Sequence, residues 1–107
     1  MIRVVNVKNE HPRGMVRVHR PSPLGNPFYI GKDGTREQVI AKYEQWLAVK
    51  LSNAQSTQSR EIASLLRLYK RRGELVLGCF CFPEFSCHAE VIARTLRARL
   101  EAERQSF

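Results

Sequence analysis

A chain of 107 residues has room for one domain built on one core, which excludes a multidomain reading. With 43% hydrophobic and 26% charged residues it is not a disordered polymer, and no apolar run approaches the ~20 residues that cross a bilayer. Eighteen basic against ten acidic residues give +8. The surplus sits in residues 1–34, with six basic and two acidic groups, and 35–73, with eight and three; residues 74–107 carry four and five. A basic field of this kind favours polyanions, namely nucleic acid, nucleotides or an acidic protein, although charge kept for solubility is the plainer reading.

Residues 2–7, Ile-Arg-Val-Val-Asn-Val, are β-branched and read as a strand, and their alternation lacks the apolar core of a secretory leader. Pro12 and Gly14 mark a turn. Residues 15–20 then alternate Val16 and Val18 with Arg17 and His19, a half-buried strand, and the short connection predicts an antiparallel hairpin between the two. Residues 20–34 carry Pro21, Pro23 and Pro27 with three glycines, which forbids a helix and predicts a long, restricted loop.

Thr35 and Gln38 match a capping box, and Val39, Ile40, Tyr43, Trp46 and Leu47 continue at helical spacing to about Ser52. A second helix starts near residues 57–59 and buries Ile62, Leu65, Leu66 and Tyr69. Gly73 suits its C-terminal cap, and Lys70, Arg71 and Arg72 suit its dipole. Residues 75–82 are continuously apolar, which predicts a strand buried on both faces at the centre of its sheet. A last helix begins around residues 86–88 on an apolar stripe of Val91, Ile92, Leu96 and Leu100, with residues 101–107 expected to fray. The fold class is therefore α/β (or α+β), one domain over residues 1–107 in two or three layers. Its order is β-β-α-α-β-α, and the two-helix crossover makes strands two and three parallel.

Parallel strands end at the same edge of a sheet, where ligands of open α/β folds bind. That places residues 20–27 opposite residues 83–87. Arg20 can grip a phosphate, Ser22 and Asn26 can orient a base or sugar, and Gly25 allows close backbone approach. Ser22 and Asn26 can equally bond their own backbone and stabilise the turn. The cysteines number three within nine positions, a poor disulfide framework that fits a reducing cytoplasm. Three readings stand side by side. Cys79, Cys81, Cys87 and His88 bind zinc; Cys87 is a thiolate nucleophile at a helix start, with His88 and Glu90 beside it; or Cys79 and Cys81 are core while Cys87 and His88 cap the helix. His11 and His19 read as solvated surface histidines.

Arg20-Pro-Ser-Pro-Leu-Gly-Asn-Pro-Phe28, a helix holding Tyr43 and Leu47, and Leu77-Gly-Cys-Phe-Cys81 followed by Pro83 and Cys87-His88 resemble domain-of-unknown-function family 4326 over most of residues 2–96. The family usually has glycine where His19 stands, and one residue fewer between its second and third cysteines. The resemblance implies a bacteriophage or bacterial origin, a compact α/β fold, and one shared site for Arg20, Ser22, Asn26, Cys81, Cys87 and His88. It implies no reaction. The functional expectation is a nucleotide or nucleic-acid ligand held between residues 20–27 and 79–90, with chemistry on it carried by Cys87 or His88. The alternative is a non-catalytic interaction protein, aimed at a host factor, with structural or zinc-binding cysteines.

Overall fold

The computed structural model describes residues 1–8, 10–79 and 88–105. Strands β1 (Ile2–Asn6) and β2 (Val16–Arg17) precede helices α1 (Arg36–Leu51) and α2 (Thr57–Arg72), then strand β3 (Leu75–Cys79) and helix α3 (His88–Gln105). The helix boundaries follow local chemistry. Gln38 N–H donates to Thr35 Oγ1 at 3.3 Å while Thr35 N–H donates to Gln38 Oε1 at 2.8 Å, closing the capping box at the start of α1. Ser56 Oγ accepts from Ser59 N–H at the start of α2, and Gly73 ends that helix in the left-handed region at φ 78°.

The sheet has the order β1-β3-β2, with β3 parallel to both neighbours. Strands two and three are parallel, as the two-helix crossover requires. The hairpin expected between β1 and β2 is absent: β3 lies between them, and all three strands run the same way. The reason is in the connection. A tight hairpin turn takes two to five residues, whereas residues 7–15 are long enough to pass over the sheet. Burying the apolar β3 on both edges outweighs pairing two short strands. Strand β2 is also shorter than the alternation of residues 15–20 suggests, because Val18 N–H bonds Gly78 O at 3.1 Å and the chain then turns into the loop.

The two faces of the sheet are covered differently. Leu75, Leu77 and Cys79 point into a core shared with Tyr43, Leu47, Ile62, Leu65, Ile92 and Leu96, so α1, α2 and α3 form one layer against it. Val5, Val7 and Val76 are buried on the other side. There the connection crosses Gly78, where an added Cβ would lie 2.6 Å from Met15 Sδ and 2.8 Å from Val7 Cγ1. Strand β1 is tied down along its outer side, where Arg97 Nη2 donates to Ile2 O at 2.6 Å and Glu10 N–H to Asn6 O at 3.0 Å.

Residues from Glu101 onward were expected to fray, but α3 continues through Gln105. Lys70 Nζ meets Glu103 Oε2 at 2.7 Å and joins the last turns of α2 and α3. Residues 106 and 107 lie outside the described residues.

Leu77 has no exposed surface and sits at the midpoint of the central strand. Leu77→Ala is expected to cost about 3 kcal/mol, read as a lower urea midpoint at unchanged slope.

Candidate functional site

All three strands end at one edge, so the segments that follow them share a rim. Asn6 closes β1 there. It is buried, and its Oδ1 accepts from Lys8 N–H at 2.8 Å. Val18 carries β2 into residues 19–34, and His88 starts α3 just after β3.

His88 joins the pieces. Its Nε2 lies 2.8 Å from Val18 O. A carbonyl oxygen only accepts, so Nε2 carries the proton and donates it. The imidazole stands edge-on to Tyr43, with ring centroids 5.2 Å apart. Tyr43, fully buried, donates from its hydroxyl to Leu24 O at 2.7 Å. A chain of contacts thus runs from the start of α3 through α1 into the proline-rich loop. Desolvation holds the His88 pKa below its ordinary value. The Val18 hydrogen bond opposes this shift, and the charges of Arg20 and His19 push it down further. The ring is neutral at physiological pH.

The loop is held by its own polar side chains. Arg20 Nη1 donates to Asn26 O at 2.7 Å and more weakly to Phe28 O at 3.5 Å, and its guanidinium lies over the Tyr29 ring at 4.1 Å. Ser22 Oγ accepts from Leu24 N–H at 3.2 Å and Asn26 Oδ1 from Phe28 N–H at 2.9 Å, the backbone-bonding alternative for both residues. Gly25 is buried, and a Cβ there would lie 2.8 Å from Arg20 N and 3.0 Å from Ser22 O. Its close approach is to the loop's own backbone. The Arg20–Pro21 bond is cis. Gln58 Nε2, in the first turn of α2, donates to Pro23 O at 3.0 Å. His19, beyond the end of β2 and half-buried, bonds Arg20 O through Nδ1 at 2.8 Å, whereas the sequence suggested a solvated position.

The remaining candidates separate. Cys79 ends β3 with no exposed surface, its side chain on the helical face of the sheet. Cys81 and Cys87 lie outside the described residues, as do residues 83–87, expected opposite the Arg20 loop. Zinc at Cys79, Cys81, Cys87 and His88 is therefore represented by two of its four donors. Among the described residues no three His, Cys, Asp or Glu side chains are gathered to hold a metal. Glu90 lines a cleft of about 450 Å³ beside β1 with Arg3, Arg94 and Arg97. Sequence reasoning passed over Tyr29, which underlies Arg20, and Asn6. The pair Phe28–Tyr29 lies in a loop and carries no periodicity, whereas an Asn ending a strand of four apolar or basic residues was a readable sign.

What this rim offers chemically is an exposed guanidinium fixed in orientation. Two of its five N–H donors are used by Nη1, and among the described residues no bond engages Nε or Nη2. Beside it lie Tyr29 and Ile30, 49% and 53% exposed, adjacent in the chain and two of the four exposed large hydrophobics among the described residues.

A family model described as Domain of unknown function (DUF4326) matches residues 3–98. That span takes in the loop, β2, β3, all of β1 but its first residue, and most of α3. No curated protein and no solved structure matches the chain.

Two outcomes follow from this geometry. Gly25→Ala is expected to cost about 2 kcal/mol in urea denaturation, because the clash is with backbone that cannot swing aside. Folding lowers the His88 pKa, so the unfolded chain binds the proton more readily. The stability this residue contributes is intact above its ordinary value of 6.5 and is lost as pH falls below that toward the depressed folded value. The melting temperature should fall between pH 7.5 and 5.5, and His88→Gln should flatten that dependence.

Proposed function

We propose that this chain, which belongs to the family described as Domain of unknown function (DUF4326), binds a nucleotide or the end of a nucleic acid on the carboxyl rim of its sheet. The observation that carries the reading is the Arg20–Tyr29 stack at 4.1 Å. A guanidinium pinned by Asn26 O and backed by an aromatic ring loses little freedom when it meets a phosphate, and offers the Nε–Nη2 edge for a bidentate grip. The neighbouring Tyr29 and Ile30 supply an apolar surface for a base.

Ser22, Gly25 and Asn26 enter as the scaffold that holds Arg20, with the Asn26 carboxamide N–H₂ turned to the ligand's polar edge. His88 ties the start of α3 to the end of β2 through Val18 O and so holds the loop's root in place. The overall +8 draws an anionic ligand toward the site. This reading puts the protein in the cytoplasm of a bacterial or phage-infected cell. Chemistry on the ligand through Cys87, or zinc among the cysteines, would be an addition to binding and rests on residues outside the described ones.

Isothermal titration with the four nucleoside 5′-monophosphates tests the reading. Binding by at least one is expected, weakened about tenfold in Arg20→Lys, which keeps the charge and loses the planar fork. Heat-silent titrations with all four at millimolar concentration, or an unchanged affinity in Arg20→Lys, would overturn it.

A further inference from the structure

Helix α2 carries a second feature that the rim does not use. Arg60, Ser64, Arg67 and Arg71 are all exposed, and their spacing of four, three and four residues places them on one narrow stripe of the helix. At a rise of about 1.5 Å per residue, the three guanidinium-bearing positions are spaced about 10 Å and about 6 Å apart along the axis. The ion pairs among the described residues lie elsewhere, at Arg3–Glu10, Lys70–Glu103, Arg94–Glu44 and Arg104–Glu101. Arg67 Nη2 donates to Ser64 Oγ at 3.1 Å, which lays that side chain along the stripe without neutralising it.

Other groups lie at the two ends of α2, on other sides of the helix from the stripe. Past Arg71, Arg72 Nη1 bonds Gly14 O at 3.1 Å, and Arg13 and Arg72 line the same cleft of about 470 Å³. At the start of α2, Gln58 touches Pro23 of the Arg20 loop. Three ordinary explanations compete with a binding role. Solubility needs interspersed charge of both signs, but this stripe bears one sign. A dipole-capping role accounts for Lys70, Arg71 and Arg72 in the last turn and leaves Arg60, one turn from the positive end, unfavourably placed. An anionic membrane would want apolar side chains beside the cations, and among the described residues the exposed large hydrophobics are Met1, Tyr29, Ile30 and Val49, none of them on α2.

We infer that the Arg60–Arg67–Arg71 face of α2 is a docking surface for the sugar-phosphate backbone of a nucleic acid. The contacts are charge on phosphate, so the surface reads no sequence and its strength falls with salt. It stands on α2 by itself and does not depend on the rim binding a nucleotide.

Fluorescence anisotropy with a labelled 20-base single strand and a 20-base-pair duplex, from 25 to 200 mM NaCl, tests it on the full chain. Both probes are expected to bind at low salt. Arg60→Gln, Arg67→Gln and Arg71→Gln each replace an exposed side chain by a good helix former, and circular dichroism should show α2 intact. Combined, they should lower affinity at least thirtyfold at 50 mM NaCl and flatten the log K against log salt slope for the duplex by about 2 to 3 units. The triple variant should bind nucleoside 5′-monophosphates as the unaltered chain does in calorimetry, which separates failure here from failure at the rim. No binding of either probe at 25 mM NaCl would overturn the inference. So would binding that the triple variant retains in full, or a triple variant that loses binding to phosphatidylglycerol vesicles and not to the oligonucleotides.

Discussion

A strand paired in parallel on both sides cannot be reached by a tight turn from either neighbour. Every connection to β3 must therefore travel the length of the sheet, above it or below it. Helices α1 and α2 make that journey from β2 to β3, and residues 7–15 make a return of the same kind between the parallel strands β1 and β2, on the opposite face. The same pairing turns the carboxyl ends of β1, β2 and β3 to one side. Placing Asn6, Val18, Cys79 and His88 on a common rim is thus a by-product of how the most apolar segment of the chain is buried.

That segment was also the most legible part of the sequence. Eight apolar residues in a row bounded by Gly73 and Pro83 cannot lie at an edge, and the capping box at Thr35 and the glycine after Arg72 mark helix ends by local chemistry alone. The hairpin misled because connection length is a weak guide when a third strand competes for both partners. Residues 15–20 alternate as a strand should, yet two of them pair, since the ladder stops where the loop's own bonds begin. Long-range contacts were the least visible. Nothing local in Tyr43 announces that its hydroxyl will reach Leu24, or in His88 that it will reach Val18, 70 positions away.

For the candidate site, the sequence located the loop and its arginine, and left open two roles for Ser22 and Asn26, of which the structure shows the backbone-bonding one. Ser22, Gly25 and Asn26 are distinctive because a loop with three prolines must still satisfy its backbone, and short polar side chains and one missing Cβ do that. What they make rigid is Arg20. Its partner Tyr29 stands in the apolar run Pro27-Phe-Tyr-Ile30, which marks an ordered loop without saying which side chain the ring will meet. Charge tells a similar story: the totals announce a basic protein, but only helical geometry shows that three arginines of α2 share one line, while the ion pairs among the described residues use basic groups off that line.

Strand β1 forms a margin of the sheet, and that margin decides how the molecule meets copies of itself. Leu75 N–H bonds Met1 O and Val7 N–H bonds Cys79 O, so odd-numbered residues of β1 turn toward β3 and Ile2, Val4 and Asn6 turn outward. The Arg97 guanidinium covers the Ile2 carbonyl and Glu10 N–H covers that of Asn6, which leaves Val4 as the outward acceptor between them among the described residues. A β-branched run such as residues 2–7 is the kind of segment that templates fibrils when its rungs lie open. A strand approaching this one would find one uncovered outward carbonyl where a bare edge offers three. Part of that cover comes from a side chain 95 residues away, so it is complete only once α3 has docked.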